Sequence, residues 1–540
     1  MTKQRLAAFA AVLVLAATSA GARTLTPPPG PSLVAVTART PAQVALLGRF
    51  DMAETHVGDS YDVVVWPGDA DRLRSLGLDF RIEVPDLDAL DRSNGVAAWE
   101  GPTSVASART TYRRLSDYET ELAALATTYP DHVKLITAPN PTLEGRSVYG
   151  VEIAANVNTR DGRPTSFVMG LHHAREWPAA EMTMDFASYL AAGYPGNARI
   201  KTLLDNARVL VVPVVNPDGF NISREFPIDD PGGFSGAVLG GQGQYWRKNR
   251  RGVLSASGVT VGSYGVDPNR NYAYEWGGGT LTSSYPASTN PTDQTYQGPA
   301  PFSEPETLNV RSLVLSNNVV TLLTNHTFAG LTLWPWGHTA AHAPDYAALS
   351  ALGTSMASAD GTHPEQSIGL YATTGTTEDW AYAATGAFGY TTEIGTSSFH
   401  PAYSQVASLF PGYREAFMRL VEAARTAAYH SILTGSVHDS VGSPLDATLR
   451  LTKTVETPLY LDGNGAAPVT QHSYSDTIDI SMRTGASGAF TWHVNPSTRP
   501  IATATESYTL TVTASGHSPV SMPVTVPRGQ TLSLGTITLG

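Results

Sequence analysis

Not one of the 540 residues is cysteine. Disulfides, cysteine-ligated metals and thiol nucleophiles are thereby excluded, and stability is left to packing and bound ions, structural calcium among them. Charge is sparse: Asp, Glu, Lys and Arg make up 15% of the chain against 42% hydrophobic residues, and the formal net charge is −12. A chain of this sign lacks the basic patches that nucleic acid and anionic membrane require, so neither is expected as a partner. No segment reaches the roughly 18 consecutive apolar residues of a membrane span.

What is present begins with an export signal. Lys3 and Arg5, the apolar stretch Leu6 to Ala17 and the small residues Ala20-Gly21-Ala22 predict a signal peptide over residues 1–22. The mature protein is then expected to be secreted into the extracellular space or the periplasm, as a monomer. Pro27-Pro28-Pro29-Gly30-Pro31 reads as a stiff linker. Residues 33–86 alternate strand-like and helix-like runs, giving a small β-α-β-α-β unit. The polar stretch from Arg92 to Arg109 reads as a cleavable linker, most simply cut after Arg109 by an activating protease. Residues 23–109 would thus be a removable propeptide with its activation linker.

Residues 110–433 read as one large α/β domain, with a mixed, mostly parallel central sheet and helices on both faces. Its near-continuous apolar runs, Ser166 to Met169, Val209 to Val215 and Val319 to Leu323, are those of strands buried on both faces. After the first run, Pro178 suits a first helical turn, and Met182, Phe186 and Leu190 give the spacing of a helix packed on the sheet. Residues 434–540 change character. Thr, Ser, Val and Gly dominate, and short alternations such as Tyr508 to Thr513 predict an antiparallel β-sandwich.

Chemistry concentrates in the large domain. His173 and Glu176, three residues apart, can share a zinc ion, and His326, directly after an apolar run, is the natural third ligand. Two histidines and one glutamate leave a coordination position open for water, the pattern of a catalytic zinc. All three fall at the carboxyl ends of expected strands, where open sheets bind ligands, and so does Glu393. A surface His beside a surface Glu is the bland alternative for the pair.

Taken together, His173-Ala174-Arg175-Glu176-Trp177, Asn216-Pro217-Asp218-Gly219-Phe220, Trp246-Arg247-Lys248, Asp267-Pro268-Asn269-Arg270-Asn271, His326 and the segment Tyr371 to Glu393 resemble the zinc carboxypeptidases of the carboxypeptidase A and B type. The resemblance spans about residues 110–430, in the family's order. It implies one Zn2+ per chain on His173, Glu176 and His326, and peptide or protein C-termini as substrates. It makes Glu393 the catalytic carboxylate that activates the zinc-held water, and Arg247 the partner of the developing oxyanion. It places Arg175, Asn269, Arg270, Tyr371 and Glu378 in substrate binding. Asn269 and Arg270 would grip the terminal carboxylate, which suits a planar guanidinium. Tyr371 would close over it, and Glu378 would lie at the base of the side-chain pocket, favouring basic or mixed basic and apolar ends. Arg250 and Arg251, in the same basic run as Arg247, are expected to be solvated. His172 is expected to pack locally, and the pair His338 and His342 lacks the glutamate of a metalloprotease helix.

The resemblance also likens residues 434–540 to a transthyretin-like domain and residues 33–86, weakly, to the family's inhibitory propeptide. Phe328 departs from it, standing where digestive relatives place tyrosine. Two other readings stay open. One is a zinc amidase on the same scaffold acting on cell-wall peptides or acylated amino acids, against which the presence of both Asn269 and Arg270 argues. The other is a catalytically inactive secreted binding protein.

Overall fold

The computed structural model describes residues 31–102, 109–225, 243–254, 260–278, 287–461 and 471–540. The expected signal peptide and all of the proline linker but Pro31 lie outside them.

The N-terminal unit is a four-stranded antiparallel sheet in the order Asp51–Val57, Ser60–Val65, Ser32–Thr37, Phe80–Val84. Its first strand in that order is absent from the sequence reading, because Asp51 to Val57 shows no clean alternation. It forms as an edge strand, turned back through Gly58 at φ 60°, and an edge tolerates polar residues that a central strand would not. The stretch read as linker also begins as a helix, Leu87–Asn94, whose N-cap Asp86 accepts from the Ala89 N–H and whose chain turns out at Gly95. Residues 103–108 lie outside the described residues.

The large domain is built on eight strands in the order His363–Gln366, Leu331–Trp334, Phe388–Ile394, Val319–Thr327, Thr165–Gly170, Arg208–Val212, Tyr149–Ile153, Val133–Thr137. Four of its seven neighbouring pairs are parallel. The central strands Thr165–Gly170, Arg208–Val212 and Val319–Thr327 are buried throughout. The helix Trp177–Gly193 starts with Pro178 in its first turn, buries Met182, Phe186 and Leu190, and packs against Thr165–Gly170 and Val319–Thr327.

The C-terminal strands form two sheets. One is antiparallel, in the order Gln471–Arg483, Thr448–Tyr460, Tyr508–Thr513, Val520–Val524. The other places Ser431–Asp439 between Ala489–Val494 and Thr531–Leu539, and the pairing with Thr531–Leu539 is parallel. Its first strand begins at Ser431, a little before the expected boundary.

Candidate metal centre and substrate cleft

Three adjoining parallel strands, Thr165–Gly170, Val319–Thr327 and Phe388–Ile394, deliver their carboxyl ends to one place. His326 lies within the last residues of the second, and the register sets Glu393 directly across from it. Beyond the first strand, Leu171 takes φ 61°, a left-handed conformation that costs an ordinary side chain roughly 1–2 kcal/mol. The chain reverses there and presents His172 and His173. Asn216 ties this turn down: its Nδ2 donates to the His172 and Lys248 carbonyls at 3.0 and 3.1 Å, and its Oδ1 accepts from Gly219 N–H at 3.0 Å. A Cβ on Gly219 would stand 2.4 Å from the Lys248 carbonyl oxygen, so the position admits no side chain.

His173, Glu176 and His326 are all buried and converge. His173 Nδ1 lies 2.8 Å from Glu176 Oε1, His326 Nδ1 lies 3.0 Å from Glu176 Oε2, and the two imidazole nitrogens are 3.1 Å apart. Ligand bonds of about 2.0–2.1 Å give a zinc tetrahedron edges of about 3.3 Å, so the trio fits zinc with little adjustment. Among the described residues it is the one group of three histidine or acidic side chains whose ligand atoms lie within 4.8 Å of one another. His338 turns to Asp379 Oδ2 at 3.5 Å and His342 stacks on Tyr346 at 3.6 Å.

Outside the trio, Asp267 accepts at Oδ1 from His173 Nε2 at 3.0 Å and at Oδ2 from Arg247 Nε and Nη2 at 3.2 and 3.0 Å. It thus orients a ligand and a cation at once. Burial alone would raise its pKa, but Arg247, His173 and Arg270 hold it well below the usual carboxylate range. Arg247 Nη1 also stands 4.0 Å from Glu176 Oε1. His172 is pushed well below the ordinary imidazole range by burial and by His326 and His173, and bonds Tyr272 Oη at 2.8 Å and Thr324 Oγ1 at 3.0 Å. It packs locally, as its sequence position suggested.

The expectation of solvated Arg250 and Arg251 is corrected. Arg250 is buried and donates to Glu144 at 3.0 Å, while Arg251 reaches Glu304 at 2.7 Å and the Ser303 carbonyl at 2.8 Å. In this acidic protein their charges serve internal ion pairs. Lys248, two residues before Arg250, is likewise buried, its pKa lowered to about 7 by desolvation, with Nζ donating to the Pro291 and Asp293 carbonyls.

Asn269 and Arg270 sit in a short helical turn capped by Asp267, whose side chain accepts from Asn269 N–H. Asn269 Oδ1 accepts from Thr377 N–H and Oγ1 at 3.0 and 2.9 Å, which sets the turn against the helix Thr377–Thr385. Arg270 Nη2 donates to Tyr371 Oη at 3.1 Å. Glu378, in the first turn of that helix, is buried, and its pKa is raised to about 7 by desolvation and then by Asp379. Among the described residues its Oε2 has no hydrogen-bond partner.

The N-terminal unit lies on this surface. Asp51 takes both terminal nitrogens of Arg175, and Tyr371 packs against the unit's own core. Leu33, Ala53, Val64 and Leu87 of the unit share a cluster with Tyr245, Phe328 and Phe399. Arg109, the suggested cut point, is buried: its side chain is 1% exposed and donates to Glu121 at 2.9 Å and to the Gly101 carbonyl at 2.9 Å.

Contacts join His173, Glu176, His326 and Arg247, and separately Arg270 and Tyr371; Glu393 is placed by its register with His326, and Arg175 and Glu378 by their neighbours Glu176 and Thr377 in the chain. Asn216 and Asp267 were within quoted motifs, yet no role was read for them. For Asp267 a signal exists, since an aspartate before proline is a helix-cap pattern and here the cap faces a cluster of cations.

A family model described as zinc carboxypeptidase matches residues 118–411. A zinc carboxypeptidase of Saccharothrix mutabilis subsp. capreolus is 30% identical over 382 residues, covering 68% of this chain and 82% of its own. Carboxypeptidase B of Astacus astacus is 30% identical over 298 residues, covering 53% of this chain and 86% of its own. Among solved structures, a carboxypeptidase A from Helicoverpa armigera superposes with a TM-score of 0.61 at 21% identity, covering 73% of this chain and 98% of that one. At that identity the likeness speaks for the fold.

Proposed function

The chain belongs to the zinc carboxypeptidase family and is a metallopeptidase of that family, and on that premise we propose that it is an exported, latent carboxypeptidase that releases single residues from free peptide C-termini. The observation that carries the reading is the buried trio His173, Glu176 and His326 with Glu393 set across from His326 in register. Zinc bound there supplies a Lewis acid that makes water nucleophilic near neutral pH. Glu393 takes the proton from the attacking water and returns it to the departing amine. Arg247, fixed by Asp267, donates to the carbonyl oxygen as negative charge gathers on it, a contribution of roughly 10²–10³ in rate for a preorganised donor.

Exopeptidase selectivity is assigned to Asn269 and Arg270, which accept the terminal carboxylate, with Tyr371 closing from the Arg270 side. Arg175 binds the peptide further from the scissile bond. Glu378, buried beside Asp379 with the Thr376 and Thr391 hydroxyls near it, takes a basic terminal side chain. Latency is assigned to the N-terminal unit, because it occupies Arg175 and packs on Tyr371. Residues 110–433 are assigned as the catalytic domain and 434–540 as a β-sandwich packed against it.

The test is release of free amino acids from a mixed peptide pool by the trimmed protein, with and without a chelator. The same peptides, amidated at the C-terminus, should lose about two to three powers of ten in kcat/KM, since Arg270 is left without its anion. Cleavage of internal bonds, or equal turnover of amides, would reject the exopeptidase assignment.

A further inference from the structure

The strands Thr448–Tyr460 and Gln471–Arg483 are each 13 residues long, but only Thr448 to Thr452 of the first find a second neighbour, in Tyr508–Thr513. The rest of that hairpin runs out of the C-terminal sheet and onto the large domain. There its backbone is spliced to the segment that follows Arg270. Glu275 N–H donates to the Pro458 carbonyl at 2.9 Å, and Tyr460 N–H donates to the Trp276 carbonyl at 2.7 Å. The seat is shaped for this contact. At Gly277, φ is 88° and a Cβ would lie 1.7 Å from the Tyr460 carbonyl oxygen, so nothing larger than glycine lets the hairpin dock.

Side chains extend the junction. Asp476 accepts from Arg311 Nε at 2.5 Å, and the Tyr474 ring meets Phe302 at 5.2 Å. Phe302 in turn touches Tyr272 at 5.5 Å and Trp380 at 5.2 Å, and its N–H donates to the Asn271 carbonyl at 2.7 Å. On its other side the same segment is held by Gly375, which accepts from Tyr272 N–H at 3.0 Å and donates to the Tyr274 carbonyl at 3.1 Å. The strip Asn269 to Trp276 is therefore gripped between the loop that precedes Glu378 and a hairpin that belongs to the C-terminal sheet.

We propose that the Thr448–Arg483 hairpin is a positioning device for carboxylate recognition, with Tyr460 N–H as its key contact: the C-terminal sheet sets the pose of Asn269 and Arg270. This rests on the reading that those two residues bind the substrate carboxylate. The far end of the strip is held by Tyr460 N–H together with Trp276 Nε1, which donates to the Gln297 carbonyl at 3.1 Å, so losing the Tyr460 contact loosens that end without freeing it, and a displacement of a few tenths of an ångström at Arg270 weakens a bidentate contact more than it affects the zinc ligands.

Tyr460→Pro tests it in the trimmed full catalytic chain, because proline deletes that one N–H and is tolerated in the strand at Pro458 already. Tyr460→Ala keeps the N–H and serves as control. Expected for Tyr460→Pro is a KM about three- to tenfold higher for a free-acid peptide, the size of one lost hydrogen bond, with kcat and zinc content held and the amidated peptide unaffected. Tyr460→Ala should match the parent. A parent-like KM in Tyr460→Pro overturns the proposal. Arg270→Ala, measured alongside, separates the premise: if it keeps the preference for free acid over amide, the carboxylate reading fails and not the hairpin's docking. Should Tyr460→Pro fold poorly, Asp476→Asn, which weakens the Arg311 contact, must raise the same KM selectively, and an unchanged KM there overturns the proposal as well.

Discussion

Asp51 holds Arg175 through both terminal nitrogens, at 2.5 and 2.6 Å, with both side chains buried. A carboxylate on the N-terminal unit thus occupies the guanidinium assigned to peptide binding, as a substrate group would. Removing one member of such a buried pair costs about 3–5 kcal/mol. Asp51→Ala is therefore expected to raise the inhibition constant of the isolated N-terminal unit against the trimmed enzyme by about two to three powers of ten. The intact variant should show measurable activity on a small substrate. An unchanged inhibition constant would mean that the apolar contacts around Phe328 and Phe399 hold the unit by themselves.

Glu393 and the zinc ligands should separate cleanly under mutation. His173→Ala, Glu176→Ala and His326→Ala each open a three-ligand site, so zinc content and activity should fall together. Glu393→Gln should keep its zinc and lose about 10²–10⁴ in kcat, since it removes a base and no ligand. Metal analysis by mass spectrometry beside steady-state kinetics reads both, and full zinc occupancy in a ligand variant would break the assignment.

Activation should leave Arg109 on the mature chain. Its side chain is 1% exposed and engages Glu121 and Asp117, while Glu121 also bonds Arg113, which pairs with Glu181 on the helix Trp177–Gly193. A protease can reach the bond after Arg109 only by opening this network, so cleavage is expected upstream of it, between Gly101 and Arg109. Intact-mass measurement of the processed protein decides the matter, and a mature chain beginning at Thr110 would contradict it.

Arg109 also marks where sequence reading reaches its limit. The sheet was legible because strands such as Val319–Thr327, buried on both faces, leave continuous apolar runs, and the convergence of His173, Glu176 and His326 was legible because they stand at the ends of those runs. Asp51 and its strand were not, since an edge strand on an antiparallel sheet needs no apolar pattern. Arg250 and Arg251 looked solvated, and Arg109 looked like the end of a cleavable linker, because nothing local tells an exposed arginine from a buried one. Their partners, Glu121, Glu144 and Glu304, lie 12, 106 and 53 residues away. The parallel pairing of Ser431–Asp439 with Thr531–Leu539 joins strands about a hundred residues apart, which alternation alone cannot reveal.

Selectivity should depend on pH through Glu378. Burial, with Asp379 beside it, raises its pKa to about 7, so the folded enzyme binds a proton there that a solvated glutamate would have lost. Below that pH the carboxyl is neutral and attracts no cation; above it the carboxylate is charged and buried, and only a basic side chain offsets the cost. The ionised fraction climbs about tenfold from one unit below the pKa to one unit above. The ratio of kcat/KM for peptides ending in Arg and in Leu should therefore rise by a similar factor between about pH 6 and pH 8. A bound guanidinium favours the ionised form, so the rise should begin on the acid side of 7 for Arg substrates. The same sign applies to stability: the protonated form is the cheaper one to bury, so the contribution of Glu378 is greatest at low pH and is lost as pH rises through about 7. Glu378→Gln should flatten the selectivity profile and leave the penalty for amidated peptides untouched. A ratio that falls with pH, or a slope that persists in Glu378→Gln, would place the pocket's charge on another residue, with Asp379 next to be tried.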